Sequence, residues 1–137
     1  MSRVFKVVKY TEQHKPRLRQ RWSISTRAKD FRTLYPVNQL VTMPVGLSFV
    51  FINQPAAEDF LMHEQRCNGE HARLELWWCD TPDEPQQIAR IAGRWSDIPI
   101  YWKAYEQDDI DTLVRYSIPC HSSYYGVKSL KLFSRLR

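Results

Sequence analysis

Strict alternation of charged and apolar side chains marks one segment near the N-terminus as a strand with two distinct faces. Side chains of a strand point alternately to its two sides, so residues two apart share a face. Residues 17–24 read RLRQRWSI. The pattern predicts a strand with an arginine face and an apolar face: Arg17, Arg19 and Arg21 on the first, and Leu18, Trp22 and Ile24 on the second.

Five further segments are rich in the β-branched and aromatic residues that favour strands. These are residues 4–10, 45–52, 72–79, 112–118 and 127–136. The run at 45–52 is almost continuously apolar, which is typical of a central strand. At 72–79 the alternation turns Leu74, Leu76 and Trp78 inward and leaves Trp77 on the outward face.

Capping residues predict where the helices begin. In residues 53–68, Asn53 or Gln54 can cap the first turn, Pro55 fits it, and Asn68 followed by glycine ends the helix. Thr81, Pro82 and Glu84 match a capping box with Pro82 in the first helical position, which favours a short helix over residues 82–92, although Ile88 and Arg90 also fit a strand. Residues 27–36 predict a third short helix before a proline.

These elements predict an α+β fold in a single globular domain covering residues 1–137. Strands do not alternate regularly with helices, so we expect a mostly antiparallel or mixed sheet of about six strands with two or three short helices. The longest apolar run, residues 40–52, is too short to cross a bilayer of roughly 30 Å as a helix. The three cysteines are an odd number and too few for a disulfide framework. This favours a cytoplasmic protein with reduced thiols.

Charge is distributed unevenly along the chain. Residues 1–35 carry ten basic and two acidic side chains, residues 36–115 carry six and thirteen, and residues 116–137 carry four and none. The net charge of +5 therefore combines two basic ends with an acidic middle. If the ends lie together, one face of the molecule is strongly basic and suited to a phosphate backbone; the alternative is a basic surface that holds the acidic middle of the same chain.

Motifs of the common enzyme classes are absent. The sequence contains no glycine-rich phosphate loop, no G-x-S-x-G and no H-E-x-x-H, and its four glycines are scattered. His63 and Cys67 have the spacing of one helix face, but the paired spacings of zinc modules are missing, so we expect no metal and no cofactor. Cys120 beside His121 suits a turn better than a catalytic pair, and the carboxylates at 106–111 suit a solvated turn.

The arginine face is the strongest functional feature. Alternate residues of a strand lie about 6.6 Å apart, within a factor of two of the phosphate spacing of a nucleic-acid strand. We expect Lys131, Arg135 and Arg137 to share one face of the last strand and extend this basic row. Tyr124, Tyr125 and the outward-facing Trp77 are expected to offer stacking surfaces for bases. The predicted nucleic-acid-binding residues are Arg17, Arg19, Arg21, Lys131, Arg135, Arg137, Tyr124 and Tyr125.

Three functions remain open at the level of sequence. The first is a non-enzymatic binding domain whose basic face holds nucleic acid or an acidic protein, without contact to a membrane. The second is a protein-interaction domain, including a homo-oligomer, with Trp77 in its interface. The third is a small enzyme that lacks glycine-loop motifs and uses a cleft near His63, His71 or Cys120.

Overall fold

A computed structural model describes residues 1–14, 17–23, 33–68, 73–120 and 122–137. Ten strands and three α-helices are found in this part of the chain. In chain order they are β1 (Ser2–His14), β2 (Arg17–Ser23), β3 (Leu40–Thr42), β4 (Ser48–Val50), α1 (Gln54–Asn68), β5 (Leu74–Thr81), β6 (Gln86–Gln87), β7 (Arg90–Ala92), α2 (Ile98–Glu106), α3 (Ile110–Arg115), β8 (Ser117–Pro119), β9 (Tyr125–Val127) and β10 (Ser129–Arg135).

The main sheet has five strands in the order β2-β1-β5-β10-β3, and every neighbouring pair is antiparallel. Two smaller antiparallel sheets have the orders β4-β9-β6 and β7-β8. The predicted α+β class is confirmed and the strand pairings are antiparallel, but the expected count of about six strands is too low, since the described residues form ten strands in three sheets. The strand at 4–10 is confirmed as part of β1, the strand at 17–24 as β2 up to Ser23, where the described residues end, and the strand at 127–136 as β10 over Ser129–Arg135.

The long β1 joins the main sheet to the smaller β4 sheet. Its C-terminal half pairs with β2, from Val8 to His14. Nearer its start, Phe5 and Phe51 exchange two backbone hydrogen bonds of 2.8 Å. The run at 45–52 therefore contributes only three strand residues, and they lie in the smaller sheet rather than at the centre of the main one.

Both faces of the main sheet are covered. On one face, α1 packs against β1 and β5, and Val7, Leu76 and Ala57 form a core with Phe51. On the other face a larger core gathers the apolar side chains Val4, Val8, Tyr35, Met43, Val50, Trp77, Cys79, Val127, Leu130 and Leu132. The first helix begins as predicted, because the Asn53 side chain accepts a hydrogen bond from the amide of Ala56 at 2.9 Å.

The segment between β5 and β9 differs most from the sequence prediction. The threonine of the expected capping box, Thr81, ends β5, and its hydroxyl accepts a hydrogen bond from Asp83 without starting a helix. The helix expected over 82–92 is wrong, and the strand alternative holds in β6 and β7. The strand expected over 112–118 is mostly wrong, since α3 occupies residues up to Arg115. The helix expected over 27–36 lies largely outside the described residues.

A glycine allows α2 to pack closely against the β4 sheet. Gly46 has a φ of +70°, and a Cβ atom there would collide with the indole of Trp102. The Trp102 ring lies 5.7 Å from the ring of Phe49, between centroids. None of the helices in the described ranges is both long enough and apolar enough to cross a membrane.

Candidate nucleic-acid interface

The three arginines predicted to share a face do so at one edge of the main sheet. In the antiparallel register of β1 and β2, Arg17 lies opposite His14, Arg19 opposite Glu12, and Arg21 opposite Tyr10. Directly opposed residues project on the same side of a sheet. The period-two pattern of the sequence therefore places all three guanidinium groups on the face that carries Tyr10 and Glu12.

Arg17 and Arg19 form the exposed end of this row. Their side chains are 66% and 52% exposed, and their Nε atoms lie 3.3 and 3.6 Å from the same oxygen of Glu12. Desolvation opposes ionisation of Glu12, but the hydrogen bond and charge of Arg17 and the charge of Arg19 hold the pKa of this carboxyl below its usual value. One carboxylate against two guanidinium groups leaves this end of the row positively charged.

Arg21 is the buried end of the row. Its side chain is 18% exposed, and its Nε lies 3.0 Å from Oε1 of Glu75, which is fully buried in β5. The indole of Trp77 donates a hydrogen bond to the same oxygen at 3.0 Å. The guanidinium also lies 4.8 Å from the ring centroid of Tyr10. These contacts fix Arg21 in one orientation.

Two arginines from distant parts of the chain complete the cluster. Arg73 precedes β5, and its carbonyl accepts a hydrogen bond from the Tyr10 amide at 2.8 Å. Its guanidinium lies 4.2 Å from the Tyr10 ring centroid. Arg135, near the end of β10, places Nη1 3.3 Å from Oε2 of Glu75. That oxygen is buried and accepts no hydrogen bond of good geometry.

We call this set the arginine surface. In the described part of the chain it brings five guanidinium groups, from β2, from β10 and from the residue before β5, beside two carboxylates, which leaves a local excess of positive charge. Its members are Arg17, Arg19, Arg21, Arg73 and Arg135, with Glu12 and Glu75 as the acidic residues.

A β-bulge decides which residues of β10 join the arginine surface. Lys131 pairs with Asp80, whereas Arg135 pairs with Trp77, because the register shifts between Leu132 and Ser134. Asp80 and Trp77 lie on opposite faces of β5, so the expectation that Lys131 and Arg135 share a face is wrong. Arg137 points elsewhere and hydrogen-bonds Glu58 of α1 at 3.0 Å.

The aromatic residues expected to stack on bases are packed into the fold. Tyr124 lies 5.6 Å from the ring of Phe51, between centroids, and Tyr125 packs against the larger core. Phe51 bridges to Phe5, which lies five residues, or roughly 17 Å, before Tyr10 along β1. Tyr124 therefore lies apart from the arginine surface, and Tyr125 is committed to the larger core.

Trp77 is also buried, with 6% of its surface exposed. The outward-facing Trp77 expected from the sequence is wrong. It does lie on the opposite face of β5 from Leu76 and Trp78, as predicted, but the larger core covers that face as well.

Arg73 was missed as a site residue, and its position could be recognised only in part. Arg73, Glu75 and Trp77 are alternate residues of the chain, so the period-two pattern of this segment already placed their three side chains on one face. The sequence did not reveal that Tyr10 and Arg21 lie beside them, because that follows from the order of the strands.

Of the residues with catalytic potential, those that the structure describes make contacts within the fold. The thiol of Cys120 donates to the carbonyl of Ile88 at 2.9 Å, and burial raises its pKa, which disfavours the thiolate needed by a nucleophile. His121 and His71 lie outside the described residues. On α1, Nε2 of His63 and Sγ of Cys67 lie 3.7 Å apart, so the two side chains share one helix face as their spacing predicts. Nowhere in the described ranges do three or more His, Cys, Asp or Glu side chains gather as a metal site.

A buried polar cluster lies inside the larger core, next to the arginine surface. The ammonium of Lys6 donates to the carbonyl of Phe49 at 2.8 Å and lies 5.3 Å from the ring centroid of Tyr35. The Tyr35 hydroxyl lies 2.8 Å from that of Ser48. Burial lowers the pKa of Lys6 to about 8, against a smaller opposing influence of Cys79. Burial also raises the pKa of Cys79 to about 12.

Comparison with known proteins gives no guide to the role of these residues. The chain matches no family model, no curated protein and no solved structure.

Proposed function

We propose that this chain is a non-enzymatic binding domain that holds an acidic partner on the arginine surface, with nucleic acid as the first candidate. The observation that carries the proposal is the convergence of five arginines, from β2, β10 and the residue before β5, on one face beside two carboxylates. Such an excess of positive charge attracts polyanions and accelerates their association.

The two ends of the arginine surface have complementary roles in the proposal. Arg17 and Arg19 are exposed enough to meet phosphates directly, and a planar guanidinium can contact a phosphate through two parallel hydrogen bonds. Arg21 and Arg135 are held in place by Glu75. Because part of their rotational freedom is already lost in the free protein, less entropy is lost when a ligand binds.

We expect the contacts to involve phosphates rather than bases. The tyrosines that would have stacked on bases pack against Phe51 and the larger core, and Trp77 is buried. Base stacking and base-edge contacts supply sequence preference, whereas phosphate contacts do not. The proposed binding is therefore insensitive to sequence and strongly dependent on salt.

The alternative functions receive less support. A protein interface built on Trp77 loses its central residue, since that side chain is covered by the fold's own core. An enzyme using Cys120 would need a thiol that ionises easily, and burial acts against this. A cytoplasmic location remains part of the proposal, because three free cysteines suit a reducing compartment.

A salt titration tests the proposal. Short fluorescent single- and double-stranded DNA and RNA of mixed sequence are titrated with the protein, and anisotropy is recorded over a range of salt concentrations. We expect the logarithm of the association constant to fall linearly with that of the salt concentration, with a slope of about −2 to −4 for two to four phosphate contacts. Failure to bind any of these nucleic acids at low salt would refute nucleic acid as the partner.

A further inference from the structure

The row of arginines on β2 is open at one end and closed at the other. Arg17 and Arg19 have side chains that are 66% and 52% exposed, whereas the side chain of Arg21 is 18% exposed. Past Tyr10, which lies opposite Arg21, the next residue of β1 on this face is Val8, and it is fully buried in the larger core. A chain of phosphates that follows the row from its open end therefore meets the covered part of the sheet just beyond Arg21.

Two guanidinium groups flank Tyr10 at this closed end. Because β1 lies between β2 and β5, Arg21 comes from the strand on one side of Tyr10, and Arg73 comes from the other side. Their Cζ atoms lie 4.8 and 4.2 Å from the same ring centroid, so the separation of the two cannot exceed the sum of these distances. That limit is close to the span of a phosphate bound between two guanidinium groups, in which hydrogen bonds of about 2.8 Å place each Cζ roughly 4 Å from phosphorus.

The closed end is positively charged because Glu75 is already balanced by another arginine. Arg135 points Nη1 at Oε2 of Glu75 at 3.3 Å and donates Nε to the carbonyl of Arg137 at 3.0 Å. Arg21 uses only its Nε on Glu75, and Arg73 forms no ion pair with a carboxylate of the described residues. Two cations thus remain for a ligand. A phosphate monoester carries a charge of about −1.5 to −2 at pH 7, whereas each phosphodiester inside a strand carries about −1.

We propose that Arg21 and Arg73 bind the terminal phosphate of a nucleic-acid strand, which is a phosphate monoester. The strand then runs outwards along β2, where Arg19 and Arg17 contact the phosphodiesters that follow. Glu12, the other carboxylate of β1 on this face, is already paired with these two arginines. A strand that ends beside Arg21 does not have to pass the covered part of the sheet. This inference rests on the proposed function, because it names which part of a nucleic acid the closed end holds.

The test compares single-stranded oligonucleotides of one mixed sequence that differ only at their ends. One carries a 5′-phosphate, a second carries a 3′-phosphate, and the third has hydroxyl groups at both ends; each has the same internal fluorophore. Binding to the full chain is followed by anisotropy at one low salt concentration. We expect one of the phosphorylated strands to bind at least about tenfold more tightly than the strand with hydroxyl ends, because charge-assisted hydrogen bonds to a dianion are added.

Variants locate the terminal phosphate. Arg73→Ala leaves the buried ion pair of Glu75 in place and is expected to remove the advantage of the phosphorylated strand, while it weakens the strand with hydroxyl ends by less than about threefold. Arg17→Ala with Arg19→Ala is expected to weaken both strands by the same factor. Arg94→Ala removes an exposed arginine outside the arginine surface and is expected to leave the advantage unchanged. Circular dichroism establishes that each variant is folded.

A nucleoside monophosphate distinguishes a strand end from a free nucleotide as the source of the phosphate. It shares the monoester but makes no contact along β2, so we expect displacement of the phosphorylated strand to need a concentration at least about tenfold above the dissociation constant of that strand. Displacement at a concentration near that constant would make the free nucleotide the occupant and overturn the assignment to a strand end.

Two further results would overturn the terminal-phosphate site. The first is equal binding of the phosphorylated strands and the strand with hydroxyl ends, which would leave the proposed function intact. The second is an equal loss of the advantage in Arg73→Ala and Arg94→Ala, which would show that the preference follows net charge. If none of the strands binds, the proposed function fails, and the terminal-phosphate site fails with it.

Discussion

We expect Arg21→Ala to lower the free energy of unfolding by about 3 kcal/mol, because it leaves a buried carboxylate without its closest cation. Glu75 is fully buried, and Arg21 lies 3.0 Å from its Oε1. Trp77 and Arg135 remain near the carboxylate, but neither replaces the lost charge at that oxygen, since Arg135 lies beside Oε2. Urea unfolding followed by tryptophan fluorescence measures the change.

Arg19→Ala is the matched control for this prediction. It removes an arginine from the same strand and face, but one that is half exposed and lies 3.6 Å from a carboxylate oxygen of Glu12. Exposed ion pairs contribute little to stability, so we expect little change. Adding Glu75→Gln should cost less in the Arg21→Ala background than in the wild type, since the unpaired charge is then removed. Equal losses for Arg21→Ala and Arg19→Ala would contradict the assignment of a buried ion pair.

Lys6→Met is expected to stabilise the protein by about 2 kcal/mol at pH 7, through removal of a buried charge. Lys6 is 6% exposed, and its hydrogen bond goes to the backbone carbonyl of Phe49. The variant loses that bond, which offsets part of the gain. The residue that replaces Lys6 has a similar length and no charge, so the core keeps its packing.

The difference in stability between Lys6→Met and the wild type is also expected to depend on pH, and this dependence is specific to a buried amine. Burial lowers the pKa of Lys6 from 10.5 to about 8 in the folded protein. Between pH 8 and 10.5 the Lys6 amine is therefore mostly protonated in the unfolded chain and mostly neutral in the folded protein. The stability contributed by Lys6 therefore rises with pH in this window, by about 1.4 kcal/mol per unit, and is constant below it. We expect the stability of Lys6→Met relative to the wild type to fall by about 3 kcal/mol between pH 8 and 10.5, so that the wild type becomes the more stable protein by about 1 kcal/mol at the upper end.

Unfolding of the two proteins at several pH values between 7 and 10.5 measures this difference. Other groups titrate equally in both proteins and cancel, and the pKa of the neighbouring Cys79 thiol, at about 12, lies above the window. Lys9→Met is the control, because Lys9 is exposed on the opposite face of β1. A stability difference between Lys6→Met and the wild type that does not change with pH would contradict a buried, titrating Lys6.

Local patterns in the sequence were sufficient to predict the geometry of the arginine row. The alternation of Arg17, Arg19 and Arg21 with apolar residues requires one strand face for all three, and β2 has that arrangement. The start of α1 was equally predictable, because the capping bond between Asn53 and Ala56 depends only on nearby residues.

The burial of Trp77 could not be predicted from alternation alone. Glu75 and Arg73 share its face of β5, and a face carrying charged residues is normally exposed. The structure instead buries Glu75 because Arg21 and Arg135 approach its carboxylate from two other strands. A buried charge of this kind depends on partners far away in sequence, which a local pattern cannot supply.

The convergence of the arginines is a property of topology. Arg73 meets Tyr10 because β5 lies next to β1, and Arg135 reaches Glu75 because β10 lies next to β5. The bulge between Leu132 and Ser134 then reverses which face of β10 Arg135 occupies relative to Lys131. Strand order and bulges depend on interactions across the whole sheet, so the sequence predicted the row but not the cluster.

The most direct test of the arginine surface compares two double variants in the nucleic-acid titration. Arg17→Ala with Arg19→Ala removes two of its exposed cations, and Arg94→Ala with Lys103→Ala removes two exposed cations outside it. We predict that the first pair weakens binding by at least about tenfold and reduces the salt slope by about 2, while the second pair has little effect. Equal weakening by both pairs would contradict the account, because affinity would then follow net charge rather than the arginine surface.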